Sequence, residues 1–165
     1  TLTRSSAASD VYKRQYPGIA KKVTKEMCDL NGHMNVTFYT KIFEEGSYEM
    51  FNQLGMGFDY INSGYSTFTL EQNLRYVKEN LLGDKISTHY RIVNVNRKLI
   101  HHVGILLNND KELSAIEEIL LIHIDMNKRK SCPMPDESFN KVLQMKEEND
   151  ALGELDFDLR FKIKT

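Results

Sequence analysis

The sequence predicts a single α+β domain in which a mostly antiparallel sheet wraps one long central helix. Three observations carry this. From Val36 to Leu54, Tyr39, Ile42, Phe43, Met50 and Leu54 recur at spacings of three, four and seven, which makes one continuous apolar face. From Phe68 to Met126, apolar and polar residues alternate with a period of two between short turns. No crossover helix interrupts that run, so its strands are expected to be joined by hairpins.

Each element has its own signal. Tyr16 to Cys28, anchored by Ile19 and Val23, predicts a short first strand. Asp29-Leu30-Asn31-Gly32 follows as a turn. Asn35 suits the N-cap of the central helix, and Gly55 suits its end. Gly46 falls on the apolar face in mid-helix, where glycine costs about 1 kcal/mol against alanine. It is therefore expected to admit a close neighbour. The meander then predicts strands through Phe68–Tyr76, Ile86–Ile92, His101–Leu107 and Leu113–Met126. Pro133 and Pro135 end it, and Asp136 is a candidate cap for a last helix over 137–152. Leu155 to Ile163 alternates again and predicts an extra strand or a tail.

At 165 residues the chain suits one domain with one core. A net charge of −1 gives no sign of a nucleic-acid partner, and no apolar run approaches the 18 residues of a membrane span. Cys28 and Cys132, far apart and in no CxxC pair, suit a reducing compartment, so a cytoplasmic location is expected. Ser5 to Gln15, SSAASDVYKRQ, looks like translated sequencing adapter. Residues 1–15 are accordingly expected to be non-native, with the native start upstream of Tyr16. Domain boundaries are then expected at 16–135 for the folded domain and 136–165 for a C-terminal helix and tail.

The stretch DLNGHMNVTFYTKIFEEGSYE, with the element order around it, resembles the hotdog-fold acyl-CoA thioesterases of the 4-hydroxybenzoyl-CoA thioesterase type. Their Asp-x-x-Gly-His-x-Asn-x-x-x-Tyr motif is matched by Asp29, Gly32, His33, Asn35 and Tyr39, with Met34 inside it. The segment His123 to Pro135, HIDMNKRKSCPMP, is also similar to the thioesterases of carnitine breakdown that act on betainyl-CoA. The resemblance implies a hotdog domain over roughly residues 16–135. It further implies hydrolysis of an acyl-CoA, a homodimer or homotetramer with sites between subunits, and no metal or bound cofactor. It gives Asp29 the role of nucleophile or general base, and gives the start of the helix that of polarising the thioester carbonyl.

The residue chemistry is consistent with those roles. Thioester hydrolysis needs an attacking group and a stabiliser for the developing oxyanion. A carboxylate six residues before a helix cap could meet the free amides of the helix start, from about His33 to Thr37. The plainer alternative for Asp29 is a turn-forming Asx residue. His33 could hydrogen-bond the thioester or only brace the loop. Asn35 reads first as a cap, and Tyr39 as core packing or an acyl-pocket wall. Glu44 and Glu45 offer a second acid on the helix, against the plainer reading of a solvated face. Of Glu71 and Gln72, which face opposite ways in a strand, one should look toward the helix; Glu71 is the candidate pocket residue.

Lys128, Arg129 and Lys130 form a basic cluster that could meet the phosphates of CoA or simply be solvated; Arg129 and Lys130 are the candidates. Phe58, Tyr60 and Tyr65 could cage a quaternary ammonium or pack on a partner. His101 and His102, adjacent in a strand, point to opposite faces and cannot share a metal, and no metal site is expected. Cys28 reads as a buried thiol. The alternative to an enzyme is a hotdog module that binds acyl-CoA without cleaving it, and the retained Asp29 argues against it.

Overall fold

In the computed structural model, which describes residues 10–163, the strands are β1 (Tyr16–Lys22), β2 (Tyr65–Tyr76), β3 (Lys85–Val95), β4 (Leu99–Leu107), β5 (Leu113–Asp125) and the two-residue β6 (Lys130–Ser131). The helices are α1 (Val36–Gln53), α2 (Phe58–Asn62) and α3 (Asp136–Asp150). All pairings are antiparallel, in the order β1-β3-β4-β5-β2, with β6 added to the end of β5. The sheet curls around α1, as the hotdog expectation requires.

α1 begins where its sequence says it should. Asn35 Oδ1 accepts from the Thr37 amide at 3.0 Å, which satisfies one of the orphan donors of the first turn. Gly55, at φ 70°, turns the chain out of the helix. The buried face carries Tyr39, Ile42, Phe43, Gly46, Ser47 and Met50. Gly46 is where the helix comes closest to the sheet. A Cβ there would lie well inside van der Waals contact of Thr88 Oγ1 and Tyr90 Oη, and one on Gly18 of β1 would meet the same Thr88 and the Gly46 carbonyl. Tyr90 Oη donates to the Phe43 carbonyl at 2.6 Å, so the helix is pinned as well as packed.

The core has two parts. The larger fills the space between α1 and the inner face of the sheet, with Phe43, Met50, Tyr90, Ile92 and Ile100 fully buried. A smaller one lies on the outer face, where Val103, Ile105, Leu107 and Ile116 are covered by Tyr12, Leu155 and Phe157. The segment from Leu155 to Ile163 is thus neither strand nor free tail. It straps the outer face, and its Arg160 and Phe161 amides donate to the buried Glu118 carboxylate at 2.8 to 3.2 Å. Its period of two gave it a strand-like pattern without a strand partner.

Other departures have local causes. The loop expected after α1 contains the short helix α2. Asp136 lies inside α3 rather than capping it, and its carboxylate pairs with Arg97 instead. β2, whose alternation over Phe68–Tyr76 is that of a half-covered strand, is an edge strand that among the described residues bonds to β5 alone, and a bulge between Thr69 and Glu71 resets its alternation. Phe68, Leu70 and Tyr76 are consequently exposed, and only Leu74 packs inward. Of the segment expected to be non-native, residues 1–9 lie outside the described residues. Residues 10–13 are helical and bury Tyr12 against Phe157.

Candidate functional site

Asp29, Gly32, His33 and Asn35 meet in the turn that leads into α1. Asp29 Oδ1 accepts from the Asn31 amide at 2.9 Å, an Asx turn, and Gly32 closes the turn at φ 82°. The second oxygen points toward the helix cap. Asp29 Oδ2 lies 3.4 Å from Asn35 Nδ2 and 3.7 Å from His33 Nε2. The other nitrogen of His33 sits 3.2 Å from Glu79 on the segment after β2. So the turn-forming and the helix-facing readings of Asp29 both describe it, one for each oxygen.

The expected run of free amides from His33 to Thr37 is narrower in the fold. Met34 donates to the Asn80 carbonyl and Asn35 to that of Met27, both at 2.8 Å, while Thr37 is taken by the cap. The Val36 amide has no acceptor among the described residues. It opens the helix, where the dipole favours negative charge. Asp29 itself is about a quarter exposed, and His33 about a third.

Tyr39 is buried one turn further along. Its hydroxyl accepts from Asn80 Nδ2 at 3.0 Å, its ring meets Tyr76 edge-on, and burial raises its pKa. With His33, Met34, Val36 and Tyr76 it lines a cavity of about 310 Å³ beside the helix start. The core and pocket-wall readings of Tyr39 coincide here, and Met34 closes the same wall from the buried side.

The remaining candidates lie elsewhere in the chain. Tyr60 and Tyr65 gather around His123: the Tyr60 hydroxyl is 2.7 Å from His123 Nε2, and the Tyr65 ring stacks on the imidazole at 5.3 Å. Of the expected aromatic cage, Phe58 lines a cleft. Arg129 lies with its guanidinium over the Phe68 ring, 5.1 Å from its centre, and Lys130 is exposed in β6. Both sit near the Tyr65 end of β2, since β6 extends β5 where β5 pairs with Tyr65. The motif lies at the Tyr76 end, roughly 36 Å away along the strand. Glu71 is exposed and outside every described cavity, and it is Gln72 that turns toward the helix. The bulge before Glu71 decides which of the two does so.

A second, larger cleft of about 690 Å³ runs between α1 and the β2–β5 ladder. Glu117 of β5 forms part of its floor. Its Oε1 accepts from Gln72 Nε2 at 2.6 Å, its Oε2 has no partner among the described residues, and burial pushes its pKa up to about 8. His102 beside it is buried, packs on Phe51 and is driven down to about 3 by desolvation. His101 faces the other way, toward Glu118 at 3.2 Å, as adjacent strand positions must. Among the described residues no cluster of His, Cys, Asp or Glu could hold a metal. Glu44 borders the cleft, while Glu45 is paired with Lys21. Glu117 was overlooked in the sequence. Its signal was the pair Glu117-Glu118 within an apolar strand covered on both faces.

The model of the thioesterase-like superfamily matches residues 23–144. The chain belongs to that superfamily. Among curated relatives, the L-carnitine dehydrogenase/betainyl-CoA thioesterase of Rhizobium meliloti is 29% identical over 122 residues, 73% of this chain and 25% of that protein. The betainyl-CoA thioesterase of Pseudomonas aeruginosa is 27% identical over 132 residues, 79% of this chain and 83% of its own. The chain thus spans about a quarter of the length of the two-function relatives, and most of the single-function one. A Staphylococcus aureus protein solved in complex with CoA superposes with a TM-score of 0.75 at 24% identity, covering 81% of this chain and 85% of that one. The DHNA-CoA thioesterase of the same organism gives 0.69 at 18%, covering 81% and 90%. The hotdog architecture is common to the superfamily match and these folds.

Proposed function

We propose that the chain hydrolyses an acyl-CoA thioester to free acid and CoA, with betainyl-CoA or another short, polar ester as substrate. The observation that carries the reading is the placement of Asp29 Oδ2 beside Asn35 and His33 at a helix start whose Val36 amide is unspent. The thioester oxygen accepts from Val36 N–H and gains from the helix dipole as it becomes an oxyanion. Asp29 then acts in one of two ways. It attacks the acyl carbon, expels CoA as thiolate and leaves an anhydride for water to open, or it takes a proton from the attacking water. Asn35 and His33 hold the carboxylate, and Tyr39 and Met34 wall the acyl group. The betainyl-CoA thioesterase relatives support the substrate class, and the CoA-bound neighbour supports the carrier. The active form is a homodimer or homotetramer, consistent with the exposed apolar edge of β2.

The test is release of free thiol from betainyl-, short-chain and long-chain acyl-CoAs by the wild-type chain and by Asp29→Asn. Turnover should fall by roughly a hundredfold or more in the variant. Turnover that survives the substitution removes Asp29 from the mechanism. A folded wild-type chain that binds CoA yet cleaves no ester makes the domain a binding module instead.

A further inference from the structure

The cleft between α1 and the β2–β5 ladder is not used by the mechanism above. Its floor holds two polar atoms without a partner among the described residues, Glu117 Oε2 and His102 Nδ1, on residues that are 99% and 98% buried. Buried polar atoms are seldom left unsatisfied, because each such atom costs stability. Its mouth is aromatic, with Tyr48 and Phe51 on α1 and Phe58 on α2. Glu44 adds a second carboxylate, and among the described residues no lysine or arginine lines it.

Acidic groups without basic partners, walled by aromatic rings, select an organic cation, above all one with no hydrogen to donate. We propose that this cleft is the subsite for a quaternary-ammonium acyl headgroup, with Glu117 as buried counter-charge and Tyr48, Phe51 and Phe58 as its aromatic wall. The proposal rests on the thioesterase reading and supplies the residues that choose its substrate.

Reach fixes which end of the cleft is used. Thr40, on its wall, lies five residues past Asn35, about 7.5 Å along the helix. Glu117 pairs with Leu74, two residues from the Tyr76 end of β2, where the Asp29 motif lies. The Glu117 end of the cleft is therefore the end nearer the same chain's helix start.

The cation favours the ionised carboxyl, whereas burial favours the neutral one, so binding strengthens as pH rises toward 8. The titratable groups facing Glu117 are Glu44 from α1, His102 from β4 and Tyr90 from β3. Of these His102 stays neutral across that range, and burial holds Tyr90 neutral too.

The test compares betainyl-CoA with 3,3-dimethylbutyryl-CoA, which has the same shape and no charge. Wild type should favour the cationic ester in kcat/KM, and its KM for that ester alone should fall from pH 6 to 8. Glu117→Gln, which keeps the Gln72 contact, should raise that KM roughly tenfold and leave the neutral ester unchanged. Tyr48→Leu, at an exposed wall position, should act in the same direction. Equal loss on both esters, or no charge preference in wild type, overturns the subsite. No hydrolysis of either ester, or of any other acyl-CoA, fails the underlying thioesterase reading instead.

Discussion

Gly46→Ala adds one methyl group at the point where α1 presses on the sheet. In an isolated helix the change is favourable by about 1 kcal/mol. Here the new Cβ collides with Thr88 Oγ1 and Tyr90 Oη, and both belong to side chains sunk in the core. Neither is a flexible tip with somewhere to go. Overpacking of this kind costs about 1–3 kcal/mol. Displacing Tyr90 also breaks its 2.6 Å bond to the Phe43 carbonyl, worth about 1 kcal/mol. The net is a loss of about 1–3 kcal/mol, which lowers Tm by about 3–10 °C for a domain of this size. Thermal and urea unfolding should be measured for wild type, Gly46→Ala, Tyr90→Phe and the double variant. Removing the tyrosine hydroxyl takes away one of the two collisions, so Gly46→Ala should cost less in the Tyr90→Phe background. A Gly46→Ala protein as stable as wild type, or costs that simply add, refutes the claim that this glycine sets the spacing between helix and sheet.

Two further expectations concern buried charge. Glu117 has a folded pKa raised to about 8, so between about 4.5 and 8 the folded state holds the proton and the unfolded state releases it. Stability should therefore fall as pH rises through that window, by at most about 1.4 kcal/mol per unit from this group, and Glu117→Gln should flatten the fall. His102, lowered to about 3, does the converse: the unfolded state gains a proton first, so stability is lost as pH drops from about 6.5 toward 3. Urea titrations from pH 4 to 9 read both, and a Glu117→Gln profile parallel to wild type contradicts the first. On the outer face, Glu118→Ala strips acceptors from Arg75, His101 and the Arg160 and Phe161 amides. It should cost about 3 kcal/mol and expose the chain near residues 155–161 to protease. An unchanged cleavage pattern would mean that Glu118 does not hold the strap.

The parts of the fold legible in the sequence were those with a strong local period. Val36–Gln53 carried its own cap, apolar stripe and stop, and β3, β4 and β5 carried alternation between turn residues. The turn Asn108-Asn109-Asp110 even builds itself, since Asn108 Oδ1 accepts from the Asp110 and Glu112 amides. What the sequence hid depends on partners distant along the chain. β2 alternates like a covered strand, but it lies at the sheet edge, and its bulge exchanges the roles of Glu71 and Gln72. Leu155 to Ile163 alternates as well, yet its amides find a carboxylate rather than a strand. The motif residues Asp29, Gly32, His33 and Asn35 came together as spaced, because they lie within one turn. Tyr60, Tyr65, Arg129 and Lys130 did not join them, because sequence spacing says nothing of which end of a strand a loop will reach.

The two edges of the sheet differ in a way that bears on that separation. β1 is short and its open side is blunted: Pro17 has no amide to offer, and Lys21 and Lys22 place charge along it. β2 is twelve residues long, and beside its unpaired edge stand the exposed side chains of Phe68, Leu70, Tyr76 and Val77. The faces of the central strands are already spent, the inner one on α1 and the outer one on the C-terminal strap. An apolar, unprotected edge on an otherwise closed sheet is costly to leave in water. Covering it with a second copy in antiparallel register resolves the cost. That pairing would also bring the aromatic and basic groups at the Tyr65 end of one chain next to the Asp29 motif of the other. In such a pair, residues that look scattered in one chain would stand as two halves of one site.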